Sequence, residues 1–220
     1  MTIRNTSMKH GWFYHYRLND HKIDFLCCNG FESLRTYLDQ VFTNCPDHYF
    51  ESGPRGSSLK FKLGIKPIRV EGHEVSQLAD VGLKSSRYKT AHSNVQVHML
   101  EQDGTTIGVE VPIWLQDHEI KQYKAIFDSD EPLTGHIDIV RIEDGKIWVW
   151  DFKPKADLEK YASTQIYFYA LMLSKRTNIS LDKFRCGYFD EYSAHIFKPE
   201  QDQLDKFLEL KQKLVAVVRQ

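Results

Sequence analysis

Long hydrophobic runs are missing from this chain of 220 residues, and so is an excess of charge of either sign. No stretch approaches the roughly 20 consecutive apolar residues that a membrane-spanning helix needs. The polar residues 1–10 lack the apolar core of a signal peptide, so we expect a cytoplasmic protein without membrane association. The net charge of −1 argues against a protein held on nucleic acid by bulk charge. It leaves room for a local groove that contacts phosphate through metal ions.

Cysteine is also scarce. The four cysteines are Cys27, Cys28, Cys45 and Cys186. The adjacent Cys27 and Cys28 make a poor disulfide pair, and no Cys-x-x-Cys spacing indicates zinc or an iron–sulfur cluster. The sequence therefore predicts four reduced thiols.

From about residue 75 onward, the chain contains a mixed order of helix and strand patterns. Apolar residues alternate with other residues over 107–113, which is strand periodicity. Further strands are predicted over residues 135–142, 146–153, 184–189 and 194–197, and helices over residues 86–101, 157–174 and 203–218. This order predicts the α/β (α+β) fold class, with a mixed central β-sheet flanked by helices.

Residues 1–75 are interpreted as an N-terminal elaboration, either part of the same domain or a small subdomain, and residues 76–220 as the core. Short strands are predicted over residues 12–16 and 22–26, and a helix over residues 31–42. Residues 52–58 are rich in glycine, serine and proline and predict a loop. Arg55 in this loop could touch phosphate, although a solvated loop is the simpler interpretation.

The dipeptide Asp144–Gly145 lies between two apolar strands and predicts a β-hairpin. Asp-Gly favours a two-residue type I′ turn, which would pair Glu143 with Lys146. The same register, continued outward, places Asp138 directly opposite Asp151, and the apolar residues on both faces of the hairpin match as well.

Two carboxylates opposite one another in a sheet repel. The apolar residues around them predict a partly buried site, where unpaired charge costs more. A divalent cation would neutralise them, and Mg²⁺ is typically held by one or two carboxylates plus a substrate phosphate. The alternatives are a buried ion-pair cluster, or a solvated strand face, without a catalytic role.

Lys153 follows Asp151 by two residues and therefore lies on the same face of the strand. Metal-held acids beside an ammonium suit phosphodiester hydrolysis. The metal lowers the pKa of a bound water, which becomes the nucleophile, and the lysine positions that water or offsets developing charge. Asp138, Asp151 and Lys153 are the predicted catalytic residues.

Three short motifs follow one another here: Gly135-His-Ile-Asp138, Asp151-Phe-Lys153 and Gln165-x-x-x-Tyr169. In this order and spacing they resemble the RecB-like exonuclease branch of the PD-(D/E)XK nucleases. The proline of the family name is absent before Asp138, which is usual in this branch. The resemblance implies a restriction-endonuclease-like core over residues 76–220 and a metal-dependent nuclease that hydrolyses DNA.

The resemblance also implies a metal-binding set that includes Asp138, Asp151 and Phe152. Family members add a histidine from an earlier helix, often in a context like His-x-Leu-Leu-Glu. The segment Val97-His98-Met-Leu-Glu101 is similar, so His98 is the implied ligand, with His92 as a weaker rival.

An acidic position on the strand before the Gly-x-x-Asp strand corresponds to Glu110 in Val109-Glu-Val-Pro112. The resemblance makes Glu110 a catalytic candidate. Whether it ligates metal, orients a ligand or faces solvent is left open.

Gln165 and Tyr169 are four residues apart and share one helix face. In the family this pair contacts the active site or the nucleic-acid strand, so both are implied as substrate-binding residues. The alternative is a glutamine satisfied by backbone groups and a tyrosine that fills the core.

The chain is similar to the CRISPR-associated RecB-type exonucleases but lacks their cluster of late cysteines, since only Cys186 follows the motifs. The expected cofactor is therefore Mg²⁺ or Mn²⁺, with no iron–sulfur cluster. The expected partner is single- or double-stranded DNA, and an oligomer or a protein partner is left open. Competing functions are an inactive nuclease-fold module for binding or assembly, and a small-molecule metal hydrolase of another fold.

Overall fold

The computed structural model of the protein describes residues 2–218, and side-chain environments as far as residue 213. The strands are β1 (Ile3–His10), β2 (Trp12–Asn19), β3 (Ile68–Glu71), β4 (Thr106–Leu115), β5 (Leu133–Glu143), β6 (Lys146–Phe152), β7 (Phe184–Phe189) and β8 (Ser193–Phe197). Within the described residues these strands form one sheet in the order β1-β2-β4-β5-β6-β7-β8-β3. The β6–β7 pair is parallel and the other neighbours are antiparallel, so the predicted mixed sheet is confirmed.

Helices lie on both faces of this sheet. They are α1 (Asp20–Leu26), α2 (Glu32–Thr43), α3 (Glu74–Leu83), α4 (Ala91–Gln102), α5 (Tyr123–Phe127), α6 (Ala162–Thr177) and α7 (Gln203–Val218). The buried side chains form two clusters, one that includes α6 and α2 and another that includes α3 and α4. Over residues 2–218, no helix combines the length and the apolar character needed to cross a membrane.

The predicted hairpin register is confirmed along its length. The β5–β6 pairs run from Glu143 with Lys146 to Ile139 with Trp150. Asp144 and Gly145 have φ angles of 50° and 64°, which is the left-handed backbone that a type I′ turn requires at both positions.

The N-terminal part contains one wrong prediction and one confirmed prediction. Residues 22–26 were expected as a strand but belong to α1, because the side chain of Asn19 accepts a hydrogen bond from the main-chain N–H of Lys22 and begins a helix there. The helix predicted over residues 31–42 is α2. Strands β1 and β2 join the main sheet beside β4, while a boundary near residue 75 stays a prediction.

Two helices begin later than the apolar pattern predicts. The helix expected from residue 86 begins at Ala91, because the Thr90 hydroxyl caps it by accepting from the N–H of Ser93 at 3.1 Å. The helix expected from residue 157 begins at Ala162 and follows a 3₁₀ turn over Ala156–Leu158. In both segments, polar caps and turns override the apolar spacing.

Gly187 of β7 lies against the ring of the buried Trp150, and a Cβ built at Gly187 would be 2.2 Å from Trp150 Cζ3. We expect Gly187→Ala to lower the free energy of unfolding by about 1–3 kcal/mol through overpacking. Urea unfolding measures this change. The matched control is Gly104→Ala, because a Cβ there would meet no atom within 4 Å. Equal effects of the two variants would contradict the packing account.

Candidate functional site

A cavity of about 870 Å³ opens where β4, β5 and β6 meet α4, α6 and the β1–β2 hairpin. Most of the residues predicted from the sequence line this cavity. They are Glu110, Asp138, Asp151, Lys153, Gln165 and Tyr169. The topology therefore brings residues from three strands and one helix together at one end of the sheet.

The β5–β6 ladder ends at Ile139 and Trp150, one position before the two acids would have paired. Beyond that point, the carboxylate of Asp138 accepts a hydrogen bond from the main-chain N–H of Phe152 at 3.0 Å. Asp151 is almost fully buried, and its strand continues along β7 instead. The strands thus separate where the carboxylates lie, which makes room for a bound ion between them.

Lys153 is the cation of the site. Its Nζ lies 2.6 Å from Asp151 Oδ2, with the lysine side chain 20% exposed. Burial lowers the pKa of Lys153, but the charges of Asp151 and Asp138 raise it more, so its pKa lies above the usual value and the ammonium stays charged. One lysine faces two aspartates and one glutamate, so negative charge is in excess.

Asp138 carries the consequence of this excess. Burial, followed by the charges of Asp151 and Glu110, raises the pKa of Asp138 well above its usual range. The 2.6 Å contact with Lys153 does not satisfy Asp151 Oδ2, which has no hydrogen-bond donor in suitable geometry among the described residues. Crowded carboxylate oxygens of this kind fit a hard divalent cation such as Mg²⁺ or Mn²⁺.

Glu110 reaches the cavity through a distorted position in β4. Its φ of 53° is unusual for a residue in a strand, and such strain concentrates at functional sites. Gln96 of α4 donates to the Glu110 carboxylate at 2.7 Å and holds it in place. Burial raises the pKa of Glu110 to about 7, with Asp151 adding to the shift and the Gln96 hydrogen bond opposing it.

Gln165 and Tyr169 support the acids from the helix side. The Gln165 amide lies 3.2 Å from Asp151 Oδ1 and 3.1 Å from the Tyr169 hydroxyl, so it donates to both. The Tyr169 ring fills space left by Gly56 and Gly135, since a Cβ built on either glycine would be 2.4 Å from its Cε1. Gly135 of the Gly-x-x-Asp motif is therefore required by packing.

The prediction of His98 as a metal ligand is wrong in this geometry. His98 faces α3, where a Cβ built on Gly82 would be 3.2 Å from the His98 Cβ. His92 lines the cavity instead, with its Nε2 3.9 Å from Asp138 Oδ2. Burial lowers the pKa of His92, which favours the neutral ring that a metal needs.

Phe152 was expected in the metal-binding set. Its side chain is buried and packs edge-on to Phe189 at 5.7 Å between ring centroids, away from the acids. Its N–H is engaged by Asp138. A contact between Phe152 and a metal would therefore have to come from its main-chain carbonyl.

The far wall of the cavity was missed by sequence reasoning. Trp12 and Phe13 at the tip of the β1–β2 hairpin line it and are 75% and 61% exposed. Arg17 and Lys89 lie on the same wall, while Arg55 is the one residue there that the sequence had singled out. The available signal was the run of aromatic residues after Gly11, although its position beside the acids depends on tertiary structure.

The pKa shifts set the pH dependence of the metal-free protein. A folded-state pKa of Glu110 of about 7, above the usual 4.5, gives stability that is complete below about pH 4.5 and lost as the pH rises through 7. Asp138 shifts in the same direction. We expect Mn²⁺ to raise the melting temperature more at pH 8 than at pH 5, because it neutralises charges that exist only at the higher pH.

Differential scanning fluorimetry across this pH range measures the effect. Glu110→Gln should shrink the pH-dependent loss of stability, while Glu209→Gln, on the exposed face of α7, should leave it unchanged. A metal-free protein that gains stability between pH 5 and 8 would contradict the assignment.

Comparison with known proteins identifies the family. A sequence model of the PD-(D/E)XK nuclease superfamily matches residues 67–220, which include all of β4, β5, β6 and α6. Searches of curated proteins and of solved structures give no significant match. Members of this superfamily are usually nucleases and use divalent metals such as Mg²⁺ or Mn²⁺. Because the match covers more than half of the chain, the protein belongs to the PD-(D/E)XK nuclease superfamily.

Proposed function

We propose that the protein is a divalent-metal-dependent exonuclease that hydrolyses phosphodiester bonds in DNA. The observation that carries this proposal is the buried group of Glu110, Asp138 and Asp151 beside the ammonium of Lys153. Resemblance of the three sequence motifs to the RecB-like branch favours an exonuclease that acts on DNA.

Asp138 and Asp151 are the proposed ligands of the metal, with Glu110 and His92 at its periphery. A bound Mg²⁺ or Mn²⁺ would supply positive charge to the scissile phosphate and lower the pKa of a water molecule. The protein holds these ligands by specific donors: Phe152 N–H on Asp138 and the Gln165 amide on Asp151. Such supporting hydrogen bonds orient metal ligands and tune their affinity.

Lys153 is proposed to act on the substrate. Its ammonium remains charged and lies at the cavity surface, where it can orient the attacking water or offset charge that develops on the phosphate. Its contact with Asp151 keeps it in position before substrate binds. Positioning and charge stabilisation are the main contributions that proteins make to phosphoryl transfer.

The wall formed by Trp12, Phe13, Arg17 and Lys89 supports a nucleic-acid substrate. Exposed aromatic rings offer stacking surfaces for bases, and basic side chains contact phosphates. The Arg17 guanidinium lies over the Tyr88 ring at 5.5 Å, which holds it at this wall. A small-molecule hydrolase would have no use for two adjacent exposed aromatic rings at the mouth of its site.

Cleavage of labelled DNA tests the catalytic assignment. We expect Asp151→Asn and Lys153→Ala each to lower cleavage in Mg²⁺ or Mn²⁺ by at least about 100-fold, as for loss of one preorganised electrostatic group. The control is Lys183→Ala, which removes an exposed lysine outside the cavity. An exonuclease should degrade linear but not circular single-stranded DNA, and an RNA of the same sequence tests the preference for DNA.

The alternative is a nuclease-fold module that binds nucleic acid without turnover. Absence of cleavage by the wild-type chain in either metal, together with retained DNA binding, would favour that alternative. Cleavage that survives both substitutions would refute the assignment of these two residues.

Binding to a fluorescent single-stranded oligonucleotide tests the aromatic wall. We expect Trp12→Ala to weaken binding by about 5-fold to 150-fold, which corresponds to loss of one base-stacking surface worth about 1–3 kcal/mol. The matched control is Phe25→Ala, since Phe25 is 74% exposed but lies outside the cavity. Fluorescence anisotropy in the Asp151→Asn background measures binding without cleavage. Equal affinities of the two variants would show that Trp12 does not contact the strand.

A further inference from the structure

A second cluster of metal-ligating side chains lies outside the carboxylate site. His10 Nε2 is 2.8 Å from Asp47 Oδ1 and 4.0 Å from Cys45 Sγ. One ligand atom from each of the three residues lies within 4.8 Å of the others. The His10 ring is fully buried, while Asp47 is 67% exposed, so an ion could reach the cluster from solvent.

Local structure fixes each member of this cluster. His10 ends β1, and its ring stacks on Phe50 with 3.8 Å between centroids. Cys45 and Asp47 lie on either side of Pro46, whose ring restricts the backbone. The Asp47 N–H also donates to the Cys45 carbonyl at 2.9 Å, so both side chains leave one tight turn.

We propose that His10, Cys45 and Asp47 bind a Zn²⁺-type ion. With bond lengths of about 2.0–2.3 Å, a tetrahedral site has ligand separations of about 3.3 Å for N and O and about 3.6 Å for N and S. The separations of 2.8 Å and 4.0 Å are each about half an ångström from these values. Rotation of the exposed Asp47 side chain would suffice to close the difference. A water molecule would complete the tetrahedron.

The second nitrogen of His10 already has the partner that a metal-bound imidazole needs. His10 Nδ1 lies 2.8 Å from His136 Nε2. A ligating histidine commonly donates its other N–H to such an acceptor, which fixes the ring and the tautomer. Arg55 contacts only the main-chain carbonyl of His10, at 2.7 Å, and so leaves Nε2 available.

The donor set separates this site from the carboxylate site. A thiolate and an imidazole favour zinc or cobalt, whereas an all-oxygen set of carboxylates favours magnesium or manganese. The two sites are nevertheless connected, because His136 precedes Asp138 by two residues on β5 and lines the same cavity. An ion at His10 would fasten the β1–β2 hairpin, and with it the aromatic wall, to β5.

Cobalt titration of the purified, reduced full-length chain tests the site without any nuclease assay. We expect one equivalent of Co²⁺ to produce a near-ultraviolet sulfur-to-cobalt charge-transfer band, and Zn²⁺ to abolish it by displacement. Cys45→Ser should remove the band. Asp47→Asn, an exposed change that spares the packing, should weaken Zn²⁺ binding by at least about tenfold, the lower bound for loss of a supporting partner.

Two controls locate the band. Cys28→Ser should leave it unchanged, because Cys28 is exposed and outside the cluster. Asp151→Asn should also leave it unchanged, since the carboxylate site has no sulfur donor, so failure of the nuclease proposal and failure of this one give different results. No band with the wild-type chain, or a band that persists in Cys45→Ser, would overturn the proposal. Circular dichroism checks that each variant is folded.

Discussion

Glu110, Asp138 and Asp151 repel one another in a cavity where burial makes each charge costly, and the surrounding structure is arranged around that repulsion. Burial and the neighbouring charges raise the pKa of Asp138 well above its usual range. Lys153 offsets one negative charge, and the remaining excess requires either protons or a cation. Apolar residues on neighbouring strand positions prevent water from doing the same work. The site is thus electrostatically incomplete in the absence of metal, which is the condition for selective binding of a divalent ion.

Neutral donors keep the acids apart and correctly oriented. Gln96 and Gln165 come from helices on opposite faces of the sheet, and each donates to one carboxylate. Neither amide adds charge, so the attraction for a cation is retained. Tyr169 continues this support, because its ring lies against two glycines and its hydroxyl meets Gln165. Helix packing on both faces therefore controls the geometry of oxygens at the end of the sheet.

The sequence predicts well whatever depends on short-range order. The hairpin register follows from Asp144–Gly145, and strand alternation then places Asp138, Asp151 and Lys153 together. Predictions that depend on tertiary packing are weaker. His98 and His92 are six residues apart on one helix, and only the docking of α4 decides which of them faces the acids.

The aromatic wall illustrates the same limit over a longer distance. The β1–β2 hairpin is more than 100 residues from Asp138 in the chain, yet it lines the same cavity. The pairing of β2 with β4, which places it there, has only a short register, Arg17 with Val109 and Leu18 with Gly108. Contacts of this kind leave no periodicity in the sequence. The same holds for His10, Cys45 and Asp47, whose spacing follows none of the common metal-binding patterns.

The two-residue turn at Asp144–Gly145 also constrains how this protein can change during evolution. Side chains alternate between the faces of a strand, so an insertion of one residue in the turn would exchange the faces of β5 relative to β6. Asp138 would then point away from Asp151 unless a compensating bulge restored the alternation. The parity of a solvent-exposed loop is therefore inherited together with the acids, although no residue of that loop lines the cavity.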